Sequence, residues 1–406
     1  MKKSIGLIFL SALVMMSLCS CGNDAGSYGS QTASGSAATG GSAGKNEAAE
    51  KTVVENINCA LKSPYRNSSN YYEDAKNGCR QKKLDGTFVR NISFGKKGAP
   101  SLVFVTENEI FYVKRIPSDN GGRGEEELWS MPIEKTEKGD RPAEKDAKYI
   151  LKDEIVGWAY FYANEDYVVY IMPYDFKVFD RKAGKYLKLQ GEPLDKKCPP
   201  NNVEYIADCV CGDHVFFQCK HDGLYMYTLG EDKIIPIDRR THGSYSAVSD
   251  DKRNQIIYER CDRCEEFDKN EEGHQVSWYL YDCGTGEKKK LVTEDVIQTV
   301  CQKNGLKDLG IWGVMFIDGD MLYSICDGYG FSFDLSSRDR EPHYEKKFSD
   351  WLKKSKYNYY DVREIENGKC YFEEYDEDRD DGEYYITGYY DLKKDIFVKT
   401  DKLVRQ

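Results

Sequence analysis

The chain carries 69 acidic against 58 basic side chains over 406 residues, a formal net charge of −11. A negative surface of this kind argues against nucleic acid and anionic headgroups as partners. Tyr and Phe number 31 and 17 while Pro numbers 11, a composition that leans to β-structure, with apolar residues enough for a sizeable core.

The first segment reads as an address. Lys2 and Lys3 open it, an apolar stretch runs from Ile5 to Leu18, and Leu18-Cys19-Ser20-Cys21 closes it. The stretch is shorter than the roughly 20 apolar residues of a bilayer-spanning helix, so it has the form of a cleaved export signal. Its end resembles the lipobox of bacterial lipoproteins, with Leu at minus three and a small residue at minus one before the cysteine. The resemblance implies cleavage between Ser20 and Cys21 and a diacylglyceryl thioether with palmitate-type chains on Cys21. It also implies an ectodomain lipid-anchored on the bacterial cell membrane, facing outside the cytoplasm. Two long acyl chains, at about 0.8 kcal/mol per buried methylene, hold a protein there almost permanently. An ordinary secretory peptide cut at a small residue is the alternative.

Residues 1–20 are thus read as signal peptide, and residues 21–50 as the lipidated cysteine and a disordered linker. Gly, Ser and Ala dominate that linker, and Tyr28 is its one large side chain. Such a composition cannot build a core, and a flexible chain of this length reaches roughly 30 Å. Gly40-Gly41-Ser42-Ala43-Gly44 fits the G-x-S-x-G pattern of serine hydrolases, but that elbow needs a strand before it and a helix after it. Low-complexity sequence supplies neither. Residues 51–100 form an N-terminal extension whose candidate disulfide is Cys59 with Cys79; closing a loop of that size is worth roughly 3 kcal/mol in the chain-entropy model.

From residue 101 to 401 one unit repeats. Its clearest copy reads as strands over Val203 to Val210, His214 to Cys219, Leu224 to Leu229 and Lys233 to Ile237, with Gly212-Asp213, Asp222-Gly223 and Gly230-Glu231-Asp232 as turns. This is a four-stranded meander. Copies over 101–151, 155–189, 203–237, 244–292, 311–335 and 359–399 give a period of about fifty residues, near that of propeller blades. In the fifth copy the fourth strand is unclear. Runs such as Tyr167-Val168-Val169-Tyr170-Ile171-Met172 are apolar on both faces, which suits burial between blades. The expected fold is all-β, a six-bladed propeller of antiparallel meanders, with a seventh blade if Thr87 to Phe94 adds a sheet.

Strand order and aromatic placement over residues 100–401 resemble the six-bladed propellers of the TolB-like and low-density-lipoprotein-receptor type, in particular bacterial surface lipoproteins whose propeller has no assigned function. Leu224-Tyr225-Met226-Tyr227-Thr228 occupies the strand that carries the receptor's Tyr-Trp-Thr-Asp signature, which is itself absent.

Two insertions read as helices. Thr293 can cap one that carries Val296, Ile297 and Val300 and ends at Asn304-Gly305, while Phe348, Trp351 and Leu352 share a helical face. They border a binding face or cap apolar blade edges.

Outside the cytoplasm an even set of cysteines reads first as disulfides. Cys59, Cys79, Cys198, Cys209, Cys211, Cys219, Cys261, Cys264, Cys283, Cys301, Cys326 and Cys370 form such a set. A zinc reading would use Cys261-Asp262-Arg263-Cys264, or Cys209, Cys211, Cys219, His214 and His221, but the partner motif of a finger is missing. Asp376, Asp378 and Asp380 open like a calcium loop, yet Gly382 comes one residue late. Trp129 and Trp278 repeat at one blade position, as core aromatics do, and Trp351 is the better candidate to stack on a sugar.

No catalytic, cofactor-binding or metal-binding residue is assigned. The sialidase Asp-box, a zinc-protease helix motif and a phosphate loop are all absent from the sequence. The function expected is a membrane-anchored, non-enzymatic binding or scaffold propeller for a protein or glycan. The alternative is an extracellular glycan hydrolase using a carboxylate pair about 5–10 Å apart in the propeller funnel. Replacing Cys21 with Ala is expected to move the protein from the membrane to the soluble fraction; unchanged retention on fractionation would refute the anchor.

Overall fold

The computed structural model describes residues 52–53, 70–75, 78–83, 88–93, 101–105, 108–116, 125–136, 140–153, 160–172, 175–191, 205–219, 223–239, 247–261, 276–306, 313–337, 341–376 and 383–405. Ser20, Cys21, the linker and Cys59 lie outside these residues, so the signal, the anchor and the Cys59–Cys79 pairing do too.

A short strand β1 (Thr52–Val53) precedes a three-stranded sheet of β2 (Asn70–Ala75), β3 (Gly78–Lys83) and β4 (Phe88–Ser93). Blade 1 follows with β5 (Ser101–Val105), β6 (Glu109–Ile116) and β7 (Glu125–Glu134), whose outer edge takes both β8 (Arg141–Pro142) and β9 (Lys148–Asp153). Blade 2 is β10 (Tyr160–Ala163), β11 (Tyr167–Met172), β12 (Asp175–Asp180) and β13 (Lys185–Tyr186). Blade 3 is β14 (Tyr205–Cys211), β15 (His214–Cys219), β16 (Gly223–Thr228) and β17 (Ile234–Asp238). Blade 4 is β18 (Ala247–Asp250), β19 (Gln255–Cys261), β20 (Val276–Asp282) and β21 (Lys288–Thr293), followed by α1 (Glu294–Lys303). Blade 5 is β22 (Val314–Asp318), β23 (Met321–Cys326), β24 (Tyr329–Asp334) and β25 (His343–Tyr344), followed by α2 (Lys346–Leu352). Blade 6 is β26 (Val362–Glu366), β27 (Lys369–Asp376), β28 (Glu383–Asp391) and β29 (Ile396–Arg405), with β1 added in parallel on β29.

Each blade is an antiparallel meander in sequence order, and the first strands β14, β18, β22 and β26 lie successively side by side. The protein is a six-bladed β-propeller. The unclear fourth strand of blade 5 is β25, displaced beyond a longer connection. Phe88–Ser93 is not part of any of the six blades: the extra sheet reaches β1 and β29 through β2, and β8 through β4.

The physical basis of the stacking is a strand period of two with apolar residues on both faces. In β11, Val168 and Tyr170 enter the seam with blade 1, beside Phe111 and Leu128. Val169 and Ile171 enter the seam with blade 3, beside Val215 and Phe217. Phe216 turns instead toward blade 4 and meets Ile256 and Tyr258, while Ile257 and Trp278 face Leu322 and Phe333 of blade 5. The two helices plug the seams where a sheet alone leaves them open. Ile297, Val300 and Cys301 of α1 join the seam between blades 4 and 5, and Phe348 and Leu352 of α2 join the one between blades 5 and 6. Thr293 stands at the N-cap position, although its side chain makes no capping bond and Val296 is exposed.

Four blades end their third strand on an aromatic residue followed by Asp: Phe179-Asp180, Tyr281-Asp282, Phe333-Asp334 and Tyr390-Asp391. Each carboxylate accepts backbone N–H groups of the turn that follows, from Ala183 at 2.7 Å, from Thr285 at 2.8 Å, from Ser336 at 2.8 Å and from Lys394 at 3.0 Å. The aromatic ring packs inward while the carboxylate closes an Asx turn.

Polar ties cross the seams at the same end of the blades. Arg181 donates to both Glu109 oxygens at 2.8 Å, to Ser130 Oγ at 3.2 Å and to the Asn164 carbonyl, joining blade 2 to blade 1. Asp318 accepts the N–H groups of Asn367 and Gly368 at 3.0 and 2.6 Å, tying blade 5 to blade 6. The Arg181 and Glu109 side chains are only 10% and 16% exposed, so removing one partner leaves the other charge desolvated. Glu109→Ala is expected to cost about 3 kcal/mol, read as a lowered denaturation midpoint, with Glu109→Gln losing less because it keeps an acceptor for the guanidinium.

Candidate functional site

The residues singled out by sequence fall into different environments. Trp278 is core, 1% exposed and edge-on to Phe333 at 5.0 Å. Trp129 is half-buried, with its indole N–H bonded to Glu127 at 2.8 Å and the Lys114 ammonium 3.5 Å above its ring. That cation covers one face of the ring. Trp351 stacks on Phe397 at 4.9 Å and lies 5.2 Å from Phe372, so it belongs to the aromatic packing of α2 on blade 6. The helices thus seal blade edges.

The cysteines require a correction to the disulfide expectation. Cys209, Cys211, Cys219, Cys283, Cys301, Cys326 and Cys370 are all buried and none forms a disulfide in this structure. Cys209 and Cys211 face blade 4 while Cys219 faces blade 2, on the opposite side of their sheet. They serve as small apolar side chains filling seams. His214 bonds Thr228 Oγ1 at 3.0 Å, and burial lowers its pKa. Among the described residues no three His, Cys, Asp or Glu side chains are placed to hold a metal ion, and Cys198, His221 and Cys264 lie outside them. Asp378 and Asp380 lie outside the described residues.

The most unusual chemistry is a carboxyl group that the sequence reading missed. Glu259 of β19 lies at 2% exposure directly across the ladder from Trp278 of β20. Strand alternation puts it on the face of Ile257, which forms the seam with blade 5. Neither Glu259 Oε1 nor Trp278 Nε1 completes a hydrogen bond. Burial raises the carboxyl pKa to about 8, the nearby indole opposes that shift, and the negative charge of Asp208 adds to it. At neutral pH the group is therefore a neutral acid. The clue available in sequence is one acidic residue inside the apolar run Gln255-Ile256-Ile257-Tyr258-Glu259.

Other inward carboxylates each have at least one partner, although Asp208 Oδ2 and Glu373 Oε2 make no hydrogen bond. Asp208 accepts from Gln218 Nε2 at 2.9 Å, Asp238 accepts from Tyr258 at 2.9 Å and faces Arg260 at 3.5 Å, and Glu373 faces Arg363 at 3.8 Å. Gln218, Glu259 and Glu373 share a location, the second strand of the blade, away from its first turn. Open clefts lie between the described elements. One of about 380 Å³ lies between blades 1 and 2, with Ile150 and Phe179 at its floor and Lys148, Glu165, Asp166 and Lys182 at its rim. A second of about 320 Å³ lies between the end of α1 and β25, beside the Lys303–Glu341 pair. An apolar floor under charges of both signs provides contact surface.

Neither a family model nor a curated protein matches the chain. Solved structures with which it aligns include the tricorn protease, at 12% identity and a TM-score of 0.29 over 84% of this chain and 28% of that one. An ancestral GH74 enzyme aligns at 11% identity and 0.39, over 83% and 46%. The extracellular domain of a putative one component system from B. thetaiotaomicron aligns at 10% and 0.37, over 87% and 46%. The chain spans between a quarter and a half of the length of these three. The fold assignment rests on the chain's own sheet order and seams.

Glu259 makes the structure sensitive to pH. The folded chain holds a proton on this group between about pH 4.5 and pH 8 that the unfolded chain has released, so stability falls as pH rises through that window and levels off above it. Glu259→Gln is expected to match the wild type near pH 5 and to exceed it by about 2–4 kcal/mol above pH 8, as read by denaturant titration; a gain independent of pH would exclude a titrating Glu259.

Proposed function

We propose that this protein is a lipoprotein attached outside the cytoplasm through Cys21, whose propeller binds a protein or glycan and does not catalyse a reaction. The observation that carries this reading is the state of the inward carboxylates. Asp208, Asp238 and Glu373 are each engaged by Gln218, Tyr258 or Arg363, and Glu259 is sealed between two blades. A glycosidase needs one acid and one base exposed to the same bond. The clefts offer apolar floors and charged rims instead. The leader, the linker and the resemblance to TolB-like surface lipoproteins support the address.

A second reading keeps one specific support. Asp208 raises the pKa of Glu259, and a raised acid beside an ionised one is the electrostatic arrangement of a glycan hydrolase. The low exposure of Glu259 weighs against it. Full-length protein in mild detergent, screened against cell-envelope fractions and neutral and acidic oligosaccharides, separates the two. Saturable binding without product is expected; reproducible release of shortened glycan that Glu259→Gln abolishes would establish the hydrolase.

A further inference from the structure

The first strands of blades 3 and 6 carry a matching irregularity. β14 and β26 belong to the set that lies side by side from blade to blade, the strands that surround the central channel of a propeller. Each loses register with its partner strand at one residue, between Ala207 and Cys209 in β14 and between Val362 and Glu364 in β26. The extra residues are Asp208 and Arg363. Each stands three positions before the last pair of its ladder, Cys211 with His214 in blade 3 and Glu366 with Lys369 in blade 6. A bulge of this kind takes one side chain out of the alternation of its strand and re-aims it.

The two positions end in different states. Asp208 accepts a hydrogen bond from Gln218 Nε2 at 2.9 Å. Glu373 takes the place of Gln218, fifth in its own second strand, but Arg363 Nε stands 3.8 Å from its carboxylate, beyond hydrogen-bond distance. The Arg363 guanidinium makes no hydrogen bond to any described residue. Its side chain is only 22% exposed, so a fork of five N–H donors is largely withdrawn from bulk water without an acceptor. Its nitrogens are not among the enclosed polar atoms of the interior, so a ligand can reach them.

We propose that Arg363 is the anion-binding point of the propeller channel and that its ligand is a carboxylated saccharide of the uronic-acid type. The inference rests on the glycan branch of the proposed function and names the sugar class. A guanidinium presents paired N–H groups that match the planar oxygen pair of a carboxylate. The charge beside it selects further: one guanidinium next to the Glu373 carboxylate favours a monoanion, because the second charge of a phosphate dianion would face Glu373. Partly exposed charges of both signs on these strands, Asp208 and Arg363, suit a polyhydroxylated ligand over an apolar one.

The test titrates full-length protein in mild detergent, by calorimetry, with oligosaccharides of galacturonate and of glucuronate, with the methyl esters of both, with neutral oligosaccharides and with inorganic phosphate. One of the uronates is expected to bind, and its ester to bind about tenfold more weakly or worse, because the ester removes the charge that the guanidinium holds. Arg363→Gln should weaken the acid by a similar factor and leave the ester unchanged. Glu373→Gln removes the competing carboxylate and should tighten the acid several-fold, a gain that a folding defect cannot imitate. Equal affinity for acid and ester, an Arg363→Gln protein that binds the acid as the wild type does, or tighter binding of phosphate than of either uronate overturns the site. If neutral oligosaccharides bind and neither uronate does, the site fails and the glycan reading stands; if no saccharide binds, the glycan reading fails with it.

Discussion

Apolar residues on both faces of the blade strands are the constraint on which the rest of the structure depends. A sheet with one wet face could stand at the end of a stack, but β11 and β15 cannot: Val168 and Val169, or Phe216 and Phe217, point in opposite directions and are equally buried. Blades 2 and 3 therefore need a neighbour on each face. A meander of four strands satisfies that need at both faces while its connections stay at the rim, which is the economy of a propeller. Where a seam is not filled by strands, the chain inserts α1 or α2 to complete it.

Burial alone does not set the angle between blades. Directional contacts between blades come from Arg181 and Asp318, while Asp180, Asp282, Asp334 and Asp391 fix turns within their own blades. These bonds are directional, whereas apolar contact is not. The ring gains its stability from one and its register from the other.

Against this background Glu259 and Trp278 stand out as facing polar side chains inside an apolar seam, with Glu259 Oε1 and Trp278 Nε1 each short of a hydrogen bond of good geometry. A strand position that could hold a second Ile holds an acid, and the cost of keeping it charged is avoided by keeping it protonated. The same seam adjoins Cys301 and Cys326, and burial drives the Cys326 thiol toward its neutral form.

Local patterning made much of this legible. The alternation of Tyr167 to Met172, the Gly-Asp turns and the fifty-residue period name four-stranded blades, because strand period and turn chemistry are properties of neighbours in sequence. Thr293 to Gly305 and Phe348 to Leu352 announce helices for the same reason. The strand at Phe88–Ser93 was flagged by sequence as adding a sheet, but its partners β2 and β3 and the displaced strand β25 were not legible, since pairing partners are chosen by contacts between distant segments. The site was less visible still: Glu259 reads as one acid among many until the strand is placed between two blades, and Trp129 and Trp278 look equivalent until Lys114 covers one ring and Phe333 buries the other. By itself the sequence determined the repeating sheet, which depends on order along the chain. Only the tertiary structure decided which carboxyl loses its charge, because desolvation exists only once remote strands share a seam.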